Sequence, residues 1–457
     1  MLRVFRHYVP GIVLVVIALD VSIMSTAAGL AGALGSWTGQ GALWPKAVCV
    51  VAVVLLCFYL AELYRLGAHF SRRELAARLL LALLSAAVIT AAIGYLVPAL
   101  RFGRLAFVQI FCLLTLALGA WRSAWVTLDP SQRLRKRVLV LGVGPAAAQI
   151  LVLRMTGSQP FDVLGFLDDA PEAPERVPAG SELLGKTGDL LSLVEELRPD
   201  LVLVALADMR RAFPAEDLFE CRLRGIGVED WLTFYEKQTG KVLVTNLRPS
   251  WLIFSDGFVK TQLTRALKRS VDLALAVVGL ALSLPPAALI ALAIKVDSRG
   301  PVFFRQERVG QNGRIFVLNK FRSMRADAED TSGPVWAAAG DPRITRVGKW
   351  LRRTRVDELP QFLNVLVGDM SFIGPRPERP EFVRLLQRRL PFYMGRHSLK
   401  PGITGWAQVR HQYAASIEDS LEKLQYDLYY VKNLSPLLDL LILLSSVQVV
   451  LFGRGAR

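Results

Sequence analysis

The sequence predicts a membrane protein with a four-helix transmembrane bundle, a Rossmann-like α/β domain, and a second α/β domain that carries a re-entrant membrane helix and interfacial helices. Of the 457 residues, 53% are hydrophobic, and the mean hydropathy is +0.37. This composition is too apolar for an ordinary soluble protein. Five apolar runs are long enough to enter a bilayer, and a strand, a glycine turn and a helix follow the fourth run.

The first four apolar runs predict spanning helices within residues 1–130, at 11–34, 47–64, 75–100 and 105–126. Arginines precede the first run, and a basic cluster at 133–137 follows the fourth. The positive-inside rule therefore places both ends of the bundle in the cytoplasm. Asp20 lies inside the first run and is either functional or hydrogen-bonded within the bundle.

Residues 137–232 are predicted to form the Rossmann-like domain. An apolar strand ends at Gly142-Val143-Gly144, a helical stretch follows, and a second strand ends at Asp168-Asp169. A strand, a G-x-G turn and an acidic residue about 20 positions further on fit a nucleotide-binding pattern. The same turn also fits a module that binds no nucleotide, because its glycines can simply pack helix on sheet. The connector at 233–262 contains the strand-like Val242-Leu243-Val244 and has no predicted function.

The fifth apolar run, residues 271–294, contains Leu284-Pro285-Pro286 at its middle, and prolines inside a helix remove hydrogen bonds and force a kink or a break. Basic residues flank the run on both sides, which places both flanks in the cytoplasm. We therefore expect the helix to break at Pro285-Pro286 and return to the same face. The alternative is a kinked helix that spans the membrane.

The stretch 352–378 combines arginines, acidic residues and a Gly-Pro-Arg-Pro turn. Pro360 suits the first turn of a helix, which places Asp357 near the helix N-terminus, where an ionised carboxylate is a candidate nucleophile. Glu358 and Asp369 are candidate Mg²⁺ ligands, and Arg376 is placed for phosphate contact. The alternative is an N-capped helix with salt-bridged arginines on a solvated face.

Two further stretches bear on this region. Short strands are predicted at 302–304 and 315–318 around a turn at 310–313, and Lys320 and Arg322 alternate with Phe321, so on an extended segment they would form a basic pair on one face. Arg355 adds a positive charge beside the acidic pair. The last apolar run, 437–452, is short for a span and is expected to lie in the membrane interface.

Composition also excludes some classes of site. The formal net charge is +16, and the basic residues flank apolar segments, which favours anionic lipid and phosphate ligands over nucleic acid. The four cysteines have no metal-ligand spacing, so neither a zinc site nor a disulfide framework is predicted.

The sequence resembles the bacterial sugar transferases, the monotopic polyprenyl-phosphate phosphoglycosyl transferases, from about Lys260 to the end. Several motifs occur in family order: Lys320-Phe321-Arg322-Ser323-Met324, Arg355-Val356-Asp357-Glu358-Leu359-Pro360-Gln361, Gly368-Asp369-Met370-Ser371, Gly374-Pro375-Arg376-Pro377, Pro401-Gly402-Ile403-Thr404-Gly405-Trp406 and Tyr426-Asp427. The preceding spans and α/β unit resemble the long form of the family. The stretch from Phe234-Tyr235-Glu236-Lys237 to Ser255-Asp256-Gly257-Phe258 resembles the exopolysaccharide branch that accompanies exosortase clusters.

This resemblance implies a catalytic domain at residues 263–457 on the cytoplasmic face of the bacterial inner membrane. Asp357 would take a phosphosugar from a nucleoside diphosphate sugar and pass it to polyprenyl phosphate, which initiates an exopolysaccharide. Glu358 would support the metal, Mg²⁺, and Arg376, Arg355, Lys320 and Arg322 would contact phosphate. A homodimer is also expected. Leu284 stands where many members have serine, and Phe362 where leucine is common.

Two other functions are compatible with parts of the sequence. The α/β unit could belong to an NAD-dependent enzyme that modifies nucleotide sugars, although that section has no convincing Y-x-x-x-K pattern. The whole chain could instead be a membrane-anchored scaffold that senses nucleotide. The intact set of Asp357, Glu358 and Arg376 argues against a degenerate scaffold.

Overall fold

The computed structural model describes most of the chain, namely residues 2–4, 7–33, 43–64, 71–128, 135–144, 146–156, 161–170, 177–178, 180–206, 213–245, 255–258, 260–328, 341–411 and 416–452. It divides into two compact units, one of residues 1–2 and 9–239 and the other of residues 3–8 and 240–457. Part of the basic cluster at 133–137 and part of the connector at 233–262 lie outside the described residues.

The first unit begins with four apolar helices where the four runs were predicted. After the short strands β1 (Leu2–Val4) and β2 (His7–Val9), the helices are α1 (Gly11–Ala33), α2 (Leu43–Leu60), α3 (Arg72–Leu96) and α4 (Arg104–Leu128). Three of them, α1, α3 and α4, are long and apolar enough to cross a membrane, whereas α2 is a shorter apolar helix. A fourth candidate span lies in the second unit, at Gln262–Asp297.

A buried ion pair joins the helices of this bundle. Asp20 on α1 accepts hydrogen bonds from Tyr64 Oη at 2.8 Å and from Arg122 Nη2 at 2.5 Å. Arg122 on α4 also donates to the carbonyl oxygen of Leu63 at 3.1 Å. Asp20 is fully buried, so its charge is compensated inside the bundle, as the hydrogen-bonded interpretation predicts.

The α/β part of the first unit is a five-stranded parallel sheet. Its strands are β3 (Lys136–Leu141), β4 (Phe161–Leu167), β5 (Leu183–Gly185), β6 (Leu201–Val204) and β7 (Gly227–Asp230), and its helices are α5 (Ala146–Thr156), α6 (Leu190–Leu197), α7 (Ala215–Leu223) and α8 (Trp231–Thr239). The strand order is β5-β4-β3-β6-β7. Leu139 and Leu141 on the central strand pack against Val194 on α6 and Leu218 on α7. Strands buried in this way read as continuous apolar runs, which is why β3, β4 and β6 were predictable.

The second unit mixes helices with short strands. Its elements are α9 (Gln262–Asp297), β8 (Phe303–Val309), β9 (Ile315–Phe321), α10 (Arg346–Thr354), α11 (Gln361–Val367), β10 (Ser371–Ile373), α12 (Pro380–Arg389), β11 (Gly402–Thr404), α13 (Trp406–Arg410), α14 (Ile417–Asn433) and α15 (Pro436–Phe452). The strands β8 and β9 form the predicted antiparallel hairpin, and β10 pairs with β11 in parallel. The last apolar run forms the helix α15, and its position in the membrane interface stays a prediction.

Two predictions for this unit are wrong. Residues 242–244 form no strand, because they find no strand partner; Val242 instead donates a backbone hydrogen bond to the Gln425 carbonyl oxygen, and Val242 and Val244 pack into the main core. The helix α9 continues through Pro285 and Pro286 as one 36-residue helix, so the expected interruption of helical structure is absent. Prolines can kink a helix without ending it, and in apolar surroundings Ser/Thr side chains and local backbone adjustments satisfy the groups that they free.

Candidate active site

Asp357 and Glu358 lie in a tight 3₁₀ turn, Val356–Glu358, between α10 and α11. Arg355 ends α10 in a left-handed conformation, with φ 60° and ψ 13°. A non-glycine residue rarely adopts this conformation, and such outliers are concentrated at functional sites. The reversal at Arg355 turns both acidic side chains into the protein, where each is buried. The two carboxylates therefore precede α11, as the proline at 360 predicted.

Glu358 is surrounded by three cations. Its Oε1 atom lies 3.0 Å from Arg376 Nη2, 3.4 Å from Arg355 Nη1 and 3.6 Å from Lys320 Nζ. Burial alone would raise the pKa of Glu358, but the positive charges of Arg376, Lys320 and Arg355 outweigh burial and hold the pKa below its ordinary range. Glu358 is therefore ionised at neutral pH, and three of the predicted phosphate-binding residues converge on it.

Asp357 has the opposite electrostatic character. Burial, reinforced by the negative charge of Glu358, raises the pKa of Asp357, although Lys320, Arg376 and Arg352 act against this shift. Its Oδ1 atom is buried and has no hydrogen-bond partner among the residues that the structure describes. A buried carboxylate oxygen without a donor is costly and rare in folded proteins. Such an oxygen stays basic, which is the property required of a nucleophile or a base.

The predicted basic pair of Lys320 and Arg322 is not formed. Strand β9 ends at Phe321, so the alternation that would place both side chains on one face stops before Arg322. The Arg322 guanidinium is buried and donates to Ser298 O at 2.7 Å, to Ser298 Oγ at 2.9 Å and to Arg299 O at 2.9 Å, around the carboxyl end of α9. Arg322 therefore caps a helix, whereas Lys320 belongs to the Glu358 cluster.

The loop that carries Arg376 is held by close backbone contacts between glycines. A Cβ atom on Gly374 would lie 2.4 Å from the Lys400 carbonyl oxygen, and one on Gly402 would lie 2.1 Å from the Gly374 nitrogen. Gly374 N donates to Thr404 O at 2.8 Å, and Gly402 N donates to Pro375 O at 2.9 Å. The two glycine-containing motifs therefore meet in space, and a side chain at either glycine would push the loop away.

The two predicted metal ligands are separated. Glu358 precedes α11 and Asp369 follows it, so the seven-residue helix, about 10 Å long, lies between them. The described residues contain no group of three His, Cys, Asp or Glu side chains that could hold a metal. Mg²⁺ commonly uses one or two carboxylates together with substrate phosphates. Glu358 is therefore the predicted carboxylate ligand that lies in the cation cluster, where a bound diphosphate could share a metal with it.

The helix α9 is anchored at both ends to the same unit. Near its amino end, Asp272 Oδ1 accepts hydrogen bonds from Ser371 Oγ at 3.0 Å and Phe372 N at 2.9 Å, and Arg269 donates to the Val365 and Leu366 carbonyls. At its carboxyl end, Asp297 Oδ2 accepts from Val347 N at 2.9 Å. Between these anchors, Leu282, Leu284, Leu289 and both prolines are exposed.

In the first unit, Gly142 and Gly144 follow β3 as predicted, and Gly142 has the positive φ of 105° that the turn requires. The acidic residues beyond β4 serve the protein itself. Asp168 Oδ2 accepts a hydrogen bond from Val143 N, inside the G-x-G turn, at 2.6 Å. Asp169 accepts hydrogen bonds from the backbone and the hydroxyl of Thr187. One of the turn's N–H groups is therefore already occupied by a carboxylate.

Two buried residues of the site region were not assigned a role from the sequence. Arg396 and Asp427 form a buried ion pair, at 2.8 Å between Arg396 Nη2 and Asp427 Oδ2. Asp427 belongs to a recognised motif, but its partner lies 31 positions away, and nothing local in the sequence connects them. Asp272, by contrast, had a usable signal, because it is an acidic residue inside an apolar run.

Comparison with known proteins covers most of the chain. Residues 263–453 match the bacterial sugar transferase family, and residues 59–212 match a CoA-binding domain family. The undecaprenyl-phosphate glucose phosphotransferase of Komagataeibacter xylinus is 31% identical over 401 residues, which cover 80% of this chain and 72% of that protein.

Two further relatives each match about half of this chain. The UDP-N-acetylgalactosamine-undecaprenyl-phosphate N-acetylgalactosaminephosphotransferase of Aeromonas hydrophila is 45% identical over 240 residues, 52% of this chain and 56% of that protein. The UDP-glucose:undecaprenyl-phosphate glucose-1-phosphate transferase of Xanthomonas campestris is 42% identical over 217 residues, 47% of this chain and 44% of that protein. The alignments thus span about half the length of these two relatives. With the Komagataeibacter alignment, these matches show that the chain belongs to the bacterial sugar transferase family.

Proposed function

We propose that the protein transfers a sugar-1-phosphate from a nucleoside diphosphate sugar, a UDP-hexose, to undecaprenyl phosphate and so initiates exopolysaccharide synthesis. The observation that carries this proposal is the buried pair of Asp357, with its unpartnered oxygen, and Glu358, with its three cations. This arrangement combines a nucleophile with positive charge for a diphosphate. The three relatives described above are named for phosphotransfer to undecaprenyl phosphate, and two of those names include a UDP-sugar.

The reaction would proceed in two displacements at one phosphorus atom. In the first, an Asp357 carboxylate oxygen attacks the phosphorus that bears the sugar, and the bond to the bridging oxygen breaks. UMP leaves with that electron pair, and a phosphosugar remains on Asp357 as an acyl phosphate. In the second, an oxygen of undecaprenyl phosphate attacks the same phosphorus and displaces the Asp357 carboxylate. The product is an undecaprenyl diphosphate sugar.

The cations have separable roles in this scheme. Arg376 presents a planar donor fork that suits two phosphate oxygens. Lys320 and Arg355 also approach Glu358 Oε1 and would add positive charge where the diphosphate binds. Mg²⁺, held by Glu358, would neutralise diphosphate charge. Arg322 has no part in this scheme, because its guanidinium is committed to the end of α9.

We further propose that α9 is re-entrant and that the site faces the cytoplasm at the bacterial inner membrane. Support comes from the two anchored ends of α9, at Asp272 and Asp297, which contact the same unit. The exposed apolar middle of the helix, around Leu282 and Leu289, would enter the bilayer. A labelling tag after residue 457 and one at residue 137 should react only from the cytoplasm. External labelling of the carboxyl end would contradict this topology.

The five-stranded sheet is proposed to be a Rossmann-like module that binds no nucleotide. Its strand order, 3-2-1-4-5 when the strands are numbered along the chain, matches five of the six strands of the doubly wound order. However, Asp168 occupies an N–H group of the G-x-G turn and would repel a phosphate there. This observation weighs against both the NAD-dependent enzyme and the nucleotide-sensing scaffold. Homodimer formation stays a prediction, to be measured by light scattering of the detergent-solubilised chain.

The test is UMP release from a panel of UDP-sugars, with the full chain in lipid nanodiscs and undecaprenyl phosphate added. We expect release with at least one sugar, loss of release in Asp357→Asn, and a phosphosugar adduct on Asp357 by mass spectrometry. Glu381→Gln, which changes an exposed carboxylate on α12, is the matched control and should keep normal activity. EDTA should stop the reaction if Mg²⁺ is required. Full turnover by Asp357→Asn would remove it as the nucleophile.

A further inference from the structure

The loop at 375–378 has an unusual hydrogen-bond pattern. Four successive carbonyl oxygens each accept a hydrogen bond from a different part of the second unit: Pro375 from Gly402 N at 2.9 Å, Arg376 from Arg396 Nη2 at 2.8 Å, Pro377 from Arg308 Nη1 at 3.2 Å and Glu378 from Val309 N at 2.9 Å. Two of these donors are arginine side chains. The main chain on both sides of the Arg376 side chain is therefore fixed from outside the loop.

Arg396 is the donor that acts on Arg376 itself. It lies in a 3₁₀ segment, Tyr393–Ser398, and is only 5% exposed. Its guanidinium is held by Asp427, with Nε at 2.9 Å and Nη2 at 2.8 Å from Asp427 Oδ2, and by Tyr393 Oη at 3.1 Å. Because Asp427 is 1% exposed, each charge of the pair is buried against the other. A buried ion pair usually contributes little to the stability of a fold, so the presence of this pair suggests another role.

We propose that Arg396, held by Asp427, is a positioning residue that fixes the main chain of Arg376 and thereby aims the Arg376 guanidinium at the substrate diphosphate. The inference rests on the proposed function, because it assigns Arg376 to phosphate binding. Arg396 itself touches no substrate. The Arg396 guanidinium donates to the main-chain carbonyl oxygen of Arg376. The Arg376 side chain makes the other contact, 3.0 Å from Glu358.

The experiment removes both buried charges together, because removing one would leave the other unpaired. The double variant Arg396→Met with Asp427→Leu should fold. Calorimetric titration of the full chain in nanodiscs with UDP then measures its affinity. Without the hydrogen bond from Arg396, the Arg376 guanidinium should be less well ordered, and UDP should bind about ten- to a hundredfold more weakly. In an Arg376→Ala background, the same double change should alter UDP affinity less than about twofold. A purely structural role would weaken binding equally in both backgrounds.

The matched control is Lys241→Met with Glu422→Leu. It removes a 2.6 Å ion pair between Lys241 and Glu422 on α14, the helix that also carries Asp427, and it should leave UDP affinity unchanged. Arg396→Lys keeps the charge beside Asp427 but loses the planar fork, and should weaken UDP binding in the same direction by a smaller factor. This variant also tests the proposal if the double variant fails to fold.

The outcomes distinguish failure of the proposed function from failure of the positioning role. If the unmodified chain neither binds UDP nor releases UMP from any UDP-sugar, the proposed function fails and the positioning role fails with it. If the unmodified chain is active but Arg396→Lys and the double variant bind UDP normally, only the positioning role is overturned. Equal losses with and without Arg376 would also overturn it.

Discussion

Arg376 Nη2 lies 3.0 Å from Glu358 Oε1, so the arginine proposed to bind phosphate is already paired with a carboxylate. Arg355 and Lys320 approach the same oxygen, at 3.4 Å and 3.6 Å. Glu358 therefore occupies a position among the cations that a phosphate oxygen could otherwise take. A bound diphosphate must either displace this carboxylate from the cations or share them with it.

Glu358→Gln should separate substrate binding from turnover. Because Glu358 is ionised at neutral pH, the substitution removes a negative charge from among three cations and leaves them available to phosphate. We expect the affinity for UDP in EDTA to rise by about tenfold, the size of one charge-assisted hydrogen bond. UMP release should fall by about a hundredfold or more, since transition-state electrostatics are lost.

Calorimetry with UDP and an assay of UMP release on the same preparation measure the two effects. Glu381→Gln, an exposed carboxylate on α12, should change neither quantity. Weaker binding of UDP to Glu358→Gln in EDTA would show that Glu358 does not compete with the ligand for the cations.

The pH dependence of transfer should reflect the raised pKa of Asp357. The protonated carboxylic acid is a poor nucleophile, so kcat/KM should decline on the acid side with an apparent pKa above 3.8, the ordinary value for aspartate. Lys320 lowers the pKa of Asp357 and Glu358 raises it. Lys320→Met should therefore move the acid limb to higher pH, and Glu358→Gln should move it to lower pH.

A pH–rate profile of residual UMP release in each variant gives these shifts. The remaining charges that act on Asp357, Arg376 and Arg352, are unchanged in both variants, which makes the comparison direct. An acid limb that moves in the same direction in both variants would contradict the assignment of the limb to Asp357.

Local signals explain what the sequence predicted well. The apolar strands β3, β4 and β6, the helix after Pro360 and the hairpin at the 310–313 turn depend on residues close together in the chain. Asp357 and Glu358 were placed at the start of α11 for the same reason. The strand-like segment 242–244 was mispredicted for a non-local reason, because Val242 donates its backbone N–H to Gln425 on α14 and the segment packs into the main core.

The active-site cluster shows the same limit. Alternation predicted Lys320 and Arg322 on one face, but the strand stops between them and the carboxyl end of α9 recruits Arg322. Arg396 and Asp427 meet only through the tertiary fold, so nothing local in the sequence predicts that they pair. The prolines of α9 were predicted to break the helix, but their effect on helical structure depends on the surroundings of the helix, which the sequence does not display.

Arg322 and Lys320 should give opposite phenotypes. Arg322→Lys replaces the guanidinium fork that contacts Ser298 and Arg299 with a single ammonium group. The free energy of unfolding should fall by about 1–3 kcal/mol and the melting temperature by several degrees. The KM for the UDP-sugar should change little. Lys320→Met should raise KM or lower kcat while the melting temperature changes little. Thermal unfolding and steady-state kinetics measure both. A KM defect in folded Arg322→Lys would restore Arg322 to the phosphate site.

A size complementarity between Gly279 and Phe362 explains the phenylalanine that stands where leucine is common in the family. A Cβ atom on Gly279, in α9, would lie 2.6 Å from Phe362 Cε2, and the Phe362 ring stacks on Phe372 at 5.7 Å between centroids. Gly279→Ala should therefore destabilise the protein by about 1–3 kcal/mol through overpacking, although alanine ordinarily favours a helix. Phe362→Leu should restore the stability of this variant, because the smaller side chain leaves room for the added methyl group.

The matched control is Gly119→Ala in α4, where nothing lies within 4 Å of the added atom and no loss of stability is expected. Thermal unfolding in detergent compares the three variants, and a Gly279→Ala protein that melts at the normal temperature with Phe362 present would show that this contact does not limit the packing of α9 on α11.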